Sequence, residues 1–210
     1  MHIAPDIRQS IAAAVLLEER SSFFRNYLIR RLPYLKKKLI LPEKDPVPAL
    51  ILFTTRYIES VPGSISLVTA VSKQLEFYRY VAPFLHMAED FFLHPPADVS
   101  LACGLEAMLD ESFLVHRLLE EVNDYHIRNL GHPLLPLDMT EANIIVYHLL
   151  GEKLGSRLEN LVQYASAELL EKAGVWKKAR AQPGAARVLG FDGIDYGSES
   201  PIRIRATPGL

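Results

Sequence analysis

Between breaks set by proline and glycine, apolar residues recur every three or four positions along most of this chain. That spacing is the helical one, because 3.6 residues close a turn. It predicts helices over about 6–40 with a bend near Pro33, about 46–61, about 64–93 with a bend at Pro83, about 99–130 and about 139–173. Ser64, Asp98 or Ser100, and Asp138 or Thr140 stand where helix caps belong, and Glu141 adds negative charge to the first turn of the last helix. Strand signals are absent before residue 185, and no internal repeat is evident. Long helices joined by short loops imply an all-α, up-and-down bundle of four to six helices over residues 1–176. Residues 177–210 change character: they are mildly basic and rich in Gly, Pro and Ser, which suggests an extended or partly disordered arm. Within it Val188, Leu189, Phe191 and Ile194 offer apolar side chains for docking on the bundle or on a partner.

Composition narrows the classes. A chain of 210 residues with 49% hydrophobic and 23% charged positions has the make-up of one folded domain. A net charge of −2 supplies no general attraction to nucleic acid or to an anionic membrane. The basic stretch Arg25–Lys38 is explained by cations near a helix C-terminus, with Phe23, Phe24, Tyr27 and Tyr34 facing a core. A single cysteine, Cys103, excludes an internal disulfide and a cysteine-rich zinc site. No run approaches the roughly 18 apolar residues of a membrane span. The apolar run Ile11–Leu17 leads directly into Glu18, Glu19 and Arg20, as a first helix does and a secretory leader does not. A cytoplasmic protein is expected.

Placing residues on helical wheels isolates the unusual polar positions. Over 99–130, Asp110, Arg117, Glu121, Asp124 and Arg128 mark an outer face, while Met108, Val115, Leu119 and Val122 mark an inner one. Glu111 and His116 flank that inner face, and His126 points into it. Over 139–173, Ile144, Leu158 and Val162 face inward, bordered by a stripe of Glu141, His148, Glu152 and Glu159. Over 64–93, His86 and Glu89 turn inward. Hairpin turns near residues 96 and 134 would bring His116 opposite Glu152 and His148 opposite Glu120. Imidazole and carboxylate are the donors that iron, manganese or zinc accept in a bundle core, so His86, Glu89, Glu111, His116, His148 and Glu152 are candidate metal ligands. Charges at a core border are costly unless paired or metal-bound, and Arg79, Arg117 and Arg157 are the available ion-pair partners.

The segment Tyr147-His148-Leu149-Leu150-Gly151-Glu152-Lys153-Leu154-Gly155 resembles the distal helix of heme oxygenases. In that family the glycines let the helix backbone lie over a flat cofactor, so the resemblance implies a cofactor-facing role for Gly151 and Gly155. The family's iron-ligating histidine lies on its first helix. The early histidine here is His2, ahead of any helix, so the expectation passes from heme to non-heme iron or manganese. The functional expectation is a metal-dependent oxidase or oxygenase of heme-oxygenase-like or ferritin-like architecture, acting on a small-molecule substrate. The alternative is a non-enzymatic helical module for partner docking or self-association as a homo-oligomer.

Overall fold

The computed structural model describes residues 3–74, 78–93, 104–131, 133, 137–171, 194–195 and 201–205. Across them the chain is all-α: α1 (Ile3–Ser21), α2 (Phe23–Lys38), α3 (Pro46–Glu59), α4 (Val61–Gln74), α5 (Tyr78–Leu93), α6 (Leu105–Leu130), α7 (Thr140–Leu150) and α8 (Glu152–Glu171). The helices are shorter and more numerous than the four to six expected. The expected helix over 6–40 is cut at Ser22, which takes the left-handed conformation (φ 54°), and Pro33 sits inside α2 without ending it. The cut is stabilised from upstream. The Glu18 carboxylate accepts the N–H groups of Phe24 at 2.8 Å and Arg25 at 2.9 Å, which caps the start of α2. Pro62 and Gly63, expected as a break, lie in the first turn of α4, where proline's missing N–H costs nothing. Ser64 therefore lies inside α4, its N–H bonded to Ser60, and does not cap it. The expected helix over 139–173 divides at Gly151, whose φ of 92° interrupts the helical path. Neither Asp138 nor Thr140 is the N-cap of α7, which is Met139, but the Asp138 carboxylate just ahead of it accepts the Thr140 N–H at 3.0 Å. Asp98, Ser100 and Cys103 lie outside the described residues.

The core is organised around α6, which packs against α1, α3, α4, α5, α7 and α8. Its stretch 109–116 is buried at every position, so it has no outer face there. Asp110, expected outside, is 1% exposed, and Arg117 is half-buried. Met108, Val115, Leu119 and Val122 do face the core, as does His126. On α7 and α8, Leu158 and Val162 are buried as expected, whereas Ile144 is exposed. No described helix is long and apolar enough to cross a membrane.

Two of the short strands among the described residues lie before residue 185, where none was expected, and two lie in the arm. β1 (Leu39–Ile40) pairs antiparallel with β4 (Arg203–Ile204), and β2 (Leu137–Asp138) pairs parallel with β3 (Ile194–Asp195). The expected arm is thus anchored at two points. Val188, Leu189 and Phe191 lie outside the described residues.

Candidate functional site

Residues marked by the sequence fall into three separate environments. The first is the joint between α7 and α8. Gly151 ends α7, and the carbonyls that the helix end leaves unbonded are met by α2. Arg31 donates from Nη2 to the His148 carbonyl at 3.2 Å and from Nη1 to the Leu150 carbonyl at 3.1 Å. The Tyr27 hydroxyl donates to the Leu149 carbonyl at 2.7 Å. A guanidinium at a helix C-terminus also opposes the negative end of its dipole. Tyr27 and Tyr34 flank Arg31, with its central carbon 5.3 and 5.4 Å from the ring centroids. A Cβ on Gly151 would lie 2.7 Å from Arg31 Nη2, and one on Gly155 would lie 2.5 Å from Tyr147 Cδ2. Both glycines are therefore covered by this chain's own side chains. His148 sits half-buried beside the Tyr147 ring, its basicity lowered by burial and by nearby Lys38. Glu152 is exposed and pairs with Lys38 Nζ at 3.4 Å.

The second environment is a polar network across α3, α6, α7 and α8. The Tyr57 hydroxyl donates to Asn143 Oδ1 at 2.6 Å, and Asn143 Nδ2 donates to Glu120 Oε2 at 2.5 Å. Thr140 Oγ1 donates to Glu120 Oε1 at 3.0 Å, Arg117 donates to Glu120, and Arg117 Nε stands 3.8 Å from Glu159. Glu120 thus faces Thr140 and Asn143 at the start of α7. His148, expected opposite Glu120, is instead at the far end of that helix beside α2. His116 packs on Tyr57 with ring centroids 4.5 Å apart, and its Nε2 bonds the Tyr57 carbonyl at 3.1 Å and Ser60 Oγ at 3.0 Å. Its neighbours are therefore on α3, while Glu152, its expected partner, is held by α2. Burial lowers His116 to a pKa of about 4, and its Nδ1 has no hydrogen-bond partner. Glu111, 6% exposed, is raised to about 8 by burial and then by adjacent Asp110, and its Oε2 is likewise unpartnered.

The third environment is a cleft of about 500 Å³ between α1, α4 and α5. Ile7, Pro62, Ile65 and Leu85 form its apolar floor, and Ser66 and Thr69 line one wall. Lys73 and Tyr78 stand at the end where α4 and α5 succeed one another, with Lys73 Nζ 4.8 Å from the Tyr78 ring centroid. His86 and Glu89 line it eight and eleven residues further along α5. From Pro62 to Lys73 the wall of α4 extends roughly 16 Å at 1.5 Å per residue. His86 is exposed rather than turned into the core, and Glu89 is half-buried. Burial raises the Glu89 carboxyl above its ordinary range, an effect His86 opposes.

The six candidate ligands are thus distributed in pairs: His86 with Glu89 on the cleft, Glu111 and His116 in the core of α6, and His148 with Glu152 at the joint. Among the described residues, no group of three His, Cys, Asp or Glu side chains could hold a metal ion. Sequence reasoning passed over Arg31, Asn143, Lys73 and Tyr78 as site residues. Arg31, Lys73 and Tyr78 sit in ordinary amphipathic helices, and nothing in their spacing reveals which distant backbone or cavity they meet. Asn143 did carry a signal, since an amide in the apolar run of α7 requires a partner. No family model, curated protein or solved structure matches the chain, so its function has to be read from this geometry.

Proposed function

We propose that this protein binds an elongated amphipathic small molecule in the cleft between α1, α4 and α5. The observation that carries the reading is the cleft's polarity: an apolar floor lies between a Lys73–Tyr78 end and a His86–Glu89 end. Apolar surface supplies the drive to bind, and the few polar groups at the ends fix orientation. Lys73 favours an anionic head group. Glu89, already drawn toward its protonated form by burial, favours a hydrogen-bonding or cationic tail end that restores its charge. A 12-aminododecanoate probe carries both features, and dodecanoate and dodecylamine carry one each.

Calorimetric titration of the three probes tests the reading. Expected is saturable 1:1 binding, tightest for the doubly functional probe, weakened by Lys73→Ala and abolished by Ser66→Trp, which fills the cleft. Absence of saturable binding by all three probes, or binding unchanged by Ser66→Trp, overturns it.

Metal-dependent oxidation draws on the same place. Its support is the His86–Glu89 pair, two donors on one wall that leave further coordination positions to water or substrate. Elemental analysis after Mn(II) or Fe(II) loading, with His86→Ala as control, checks it. Near-stoichiometric metal lost with His86 supports it, and unbound metal removes it. The heme-oxygenase-like and ferritin-like architectures add helical content to this reading and nothing more specific.

A further inference from the structure

Ile202–Arg205 is a strap held in a groove between β1 and α7, and every element of its recognition is of the kind used to bind an extended peptide. Leu39 pairs with Ile204 and Ile40 with Arg203 in antiparallel register, and the Arg205 N–H donates to the Lys38 carbonyl at 2.9 Å. On the opposite side the Ile204 N–H faces Glu141 Oε1 at 3.4 Å, while Arg203 Nη1 stands 3.9 Å from Glu141 Oε2. Ile202 is fully buried, and Ile204 packs against the core. Backbone bonds along a strand edge give such a site affinity, and pockets for alternate side chains give it selectivity. The groove therefore reads an isoleucine, then an arginine, on an extended backbone.

We propose that the β1–α7 groove is a strand-binding site that the chain's own Ile202–Arg205 closes in cis, and that it accepts a segment of the same alternating aliphatic and basic chemistry in trans. The strap follows β3, itself paired with β2, in the same chain, so it competes at high local concentration and a free peptide meets an occupied groove. Freeing the groove should reveal the site. Ile202→Asp removes the buried anchor, because an aspartate in that apolar position is left without partners.

The test titrates a fluorescein-labelled peptide, Glu199–Thr207, into full-length protein and follows anisotropy. The Ile202→Asp chain is expected to bind the peptide at least about tenfold more tightly than the unaltered chain. A peptide carrying Arg203→Glu is expected to bind the same variant about threefold more weakly at low salt, through repulsion by Glu141. Equal binding by both chains, or none by the variant, overturns the proposal. Should Ile202→Asp not fold, amide exchange on the unaltered chain decides. Protection of the Ile204 and Arg205 amides that excess peptide reduces supports the proposal. Exchange at the free-chain rate, or protection that peptide leaves unchanged, overturns it.

Discussion

The α7–α8 joint and the α1/α4/α5 cleft contain similar residues, and they differ in what answers those residues. At the joint, guanidinium, phenol and glycine are all occupied by the chain itself: Arg31 and Tyr27 meet helix-end carbonyls, and Tyr147 covers Gly155. Open volume borders both regions, about 420 Å³ beside Arg31, Tyr34 and Gly151 and about 500 Å³ beside Lys73, His86 and Glu89, but at the joint the guanidinium is already committed to the helix-end carbonyls. A polar residue whose hydrogen bonds are taken up by its own fold contributes to stability even at a cavity wall, whereas one that faces a cavity with bonding capacity to spare contributes to binding. Changes at the joint should therefore show in unfolding, and changes at the cleft in ligand affinity.

The largest effect is expected from Gly151→Ala. A side chain at φ 92° is strained, and its Cβ displaces Arg31 from the carbonyls it caps. Chemical denaturation should show a loss of about 2–4 kcal/mol. A loss below about 0.5 kcal/mol would mean that the joint does not hold the fold together.

Next comes Asn143→Leu, which leaves the Tyr57 hydroxyl and part of the Glu120 carboxylate without a partner. About 1–3 kcal/mol should be lost in the same experiment. Tyr57→Phe combined with Asn143→Leu should lose less than the sum of the two single changes, because the pair shares one bond.

A pH series of denaturation midpoints comes third. Glu111 has a raised pKa in the fold, so its stability contribution is full below the unfolded value of 4.5 and lost as pH rises to about 8. His116 has a lowered pKa, so its contribution is full above 6.5 and lost as pH falls to about 4. The two slopes oppose each other between 4.5 and 6.5 and stand alone outside that window. Stability should be greatest there, falling on the alkaline side by on the order of 1.4 kcal/mol per pH unit at most. Glu111→Gln should flatten the alkaline limb and leave the acid limb in place. An alkaline limb unchanged in that variant would contradict the assignment.

The smallest stability effects belong to the cleft. Ser66→Trp and His86→Ala lie at exposed positions and should each alter unfolding by less than about 0.5 kcal/mol. Ser66→Trp should nevertheless abolish probe binding, the reverse of the pattern expected for Gly151→Ala.

Much of the fold was legible because it depends on local periodicity. Ile7, Ile11 and Ala14 of α1, Leu50, Phe53 and Tyr57 of α3, and Val115, Leu118 and Val122 of α6 recur at helical spacing and are buried in the core, although Leu16, Leu17 and Leu52 are exposed. The break at Ser22 was not legible, since Ser-Ser-Phe-Phe contains no glycine or proline and the cut depends on Glu18 reaching forward to cap α2. The burial of Asp110 was hidden for another reason. A wheel assigns an outer face to any helix, but α6 is surrounded over 109–116 and has none there. At the candidate site, His86 and Glu89 were marked by residue type, whereas the void that gives them a use is formed by α1 and α4. The strap escaped because a two-residue strand is too short to show alternation, and its pairing partner lies more than 160 positions away.

The most direct measurement is a titration of 12-aminododecanoate into isotopically labelled protein, followed by amide chemical shifts. Saturable shifts confined to Ser66, Thr69, Lys73, Tyr78, His86, Glu89 and their neighbours, and lost in Ser66→Trp, are the expected result. Shifts centred on the joint around Gly151, or no saturable shifts at all, would contradict the division between a self-satisfied joint and a ligand-ready cleft.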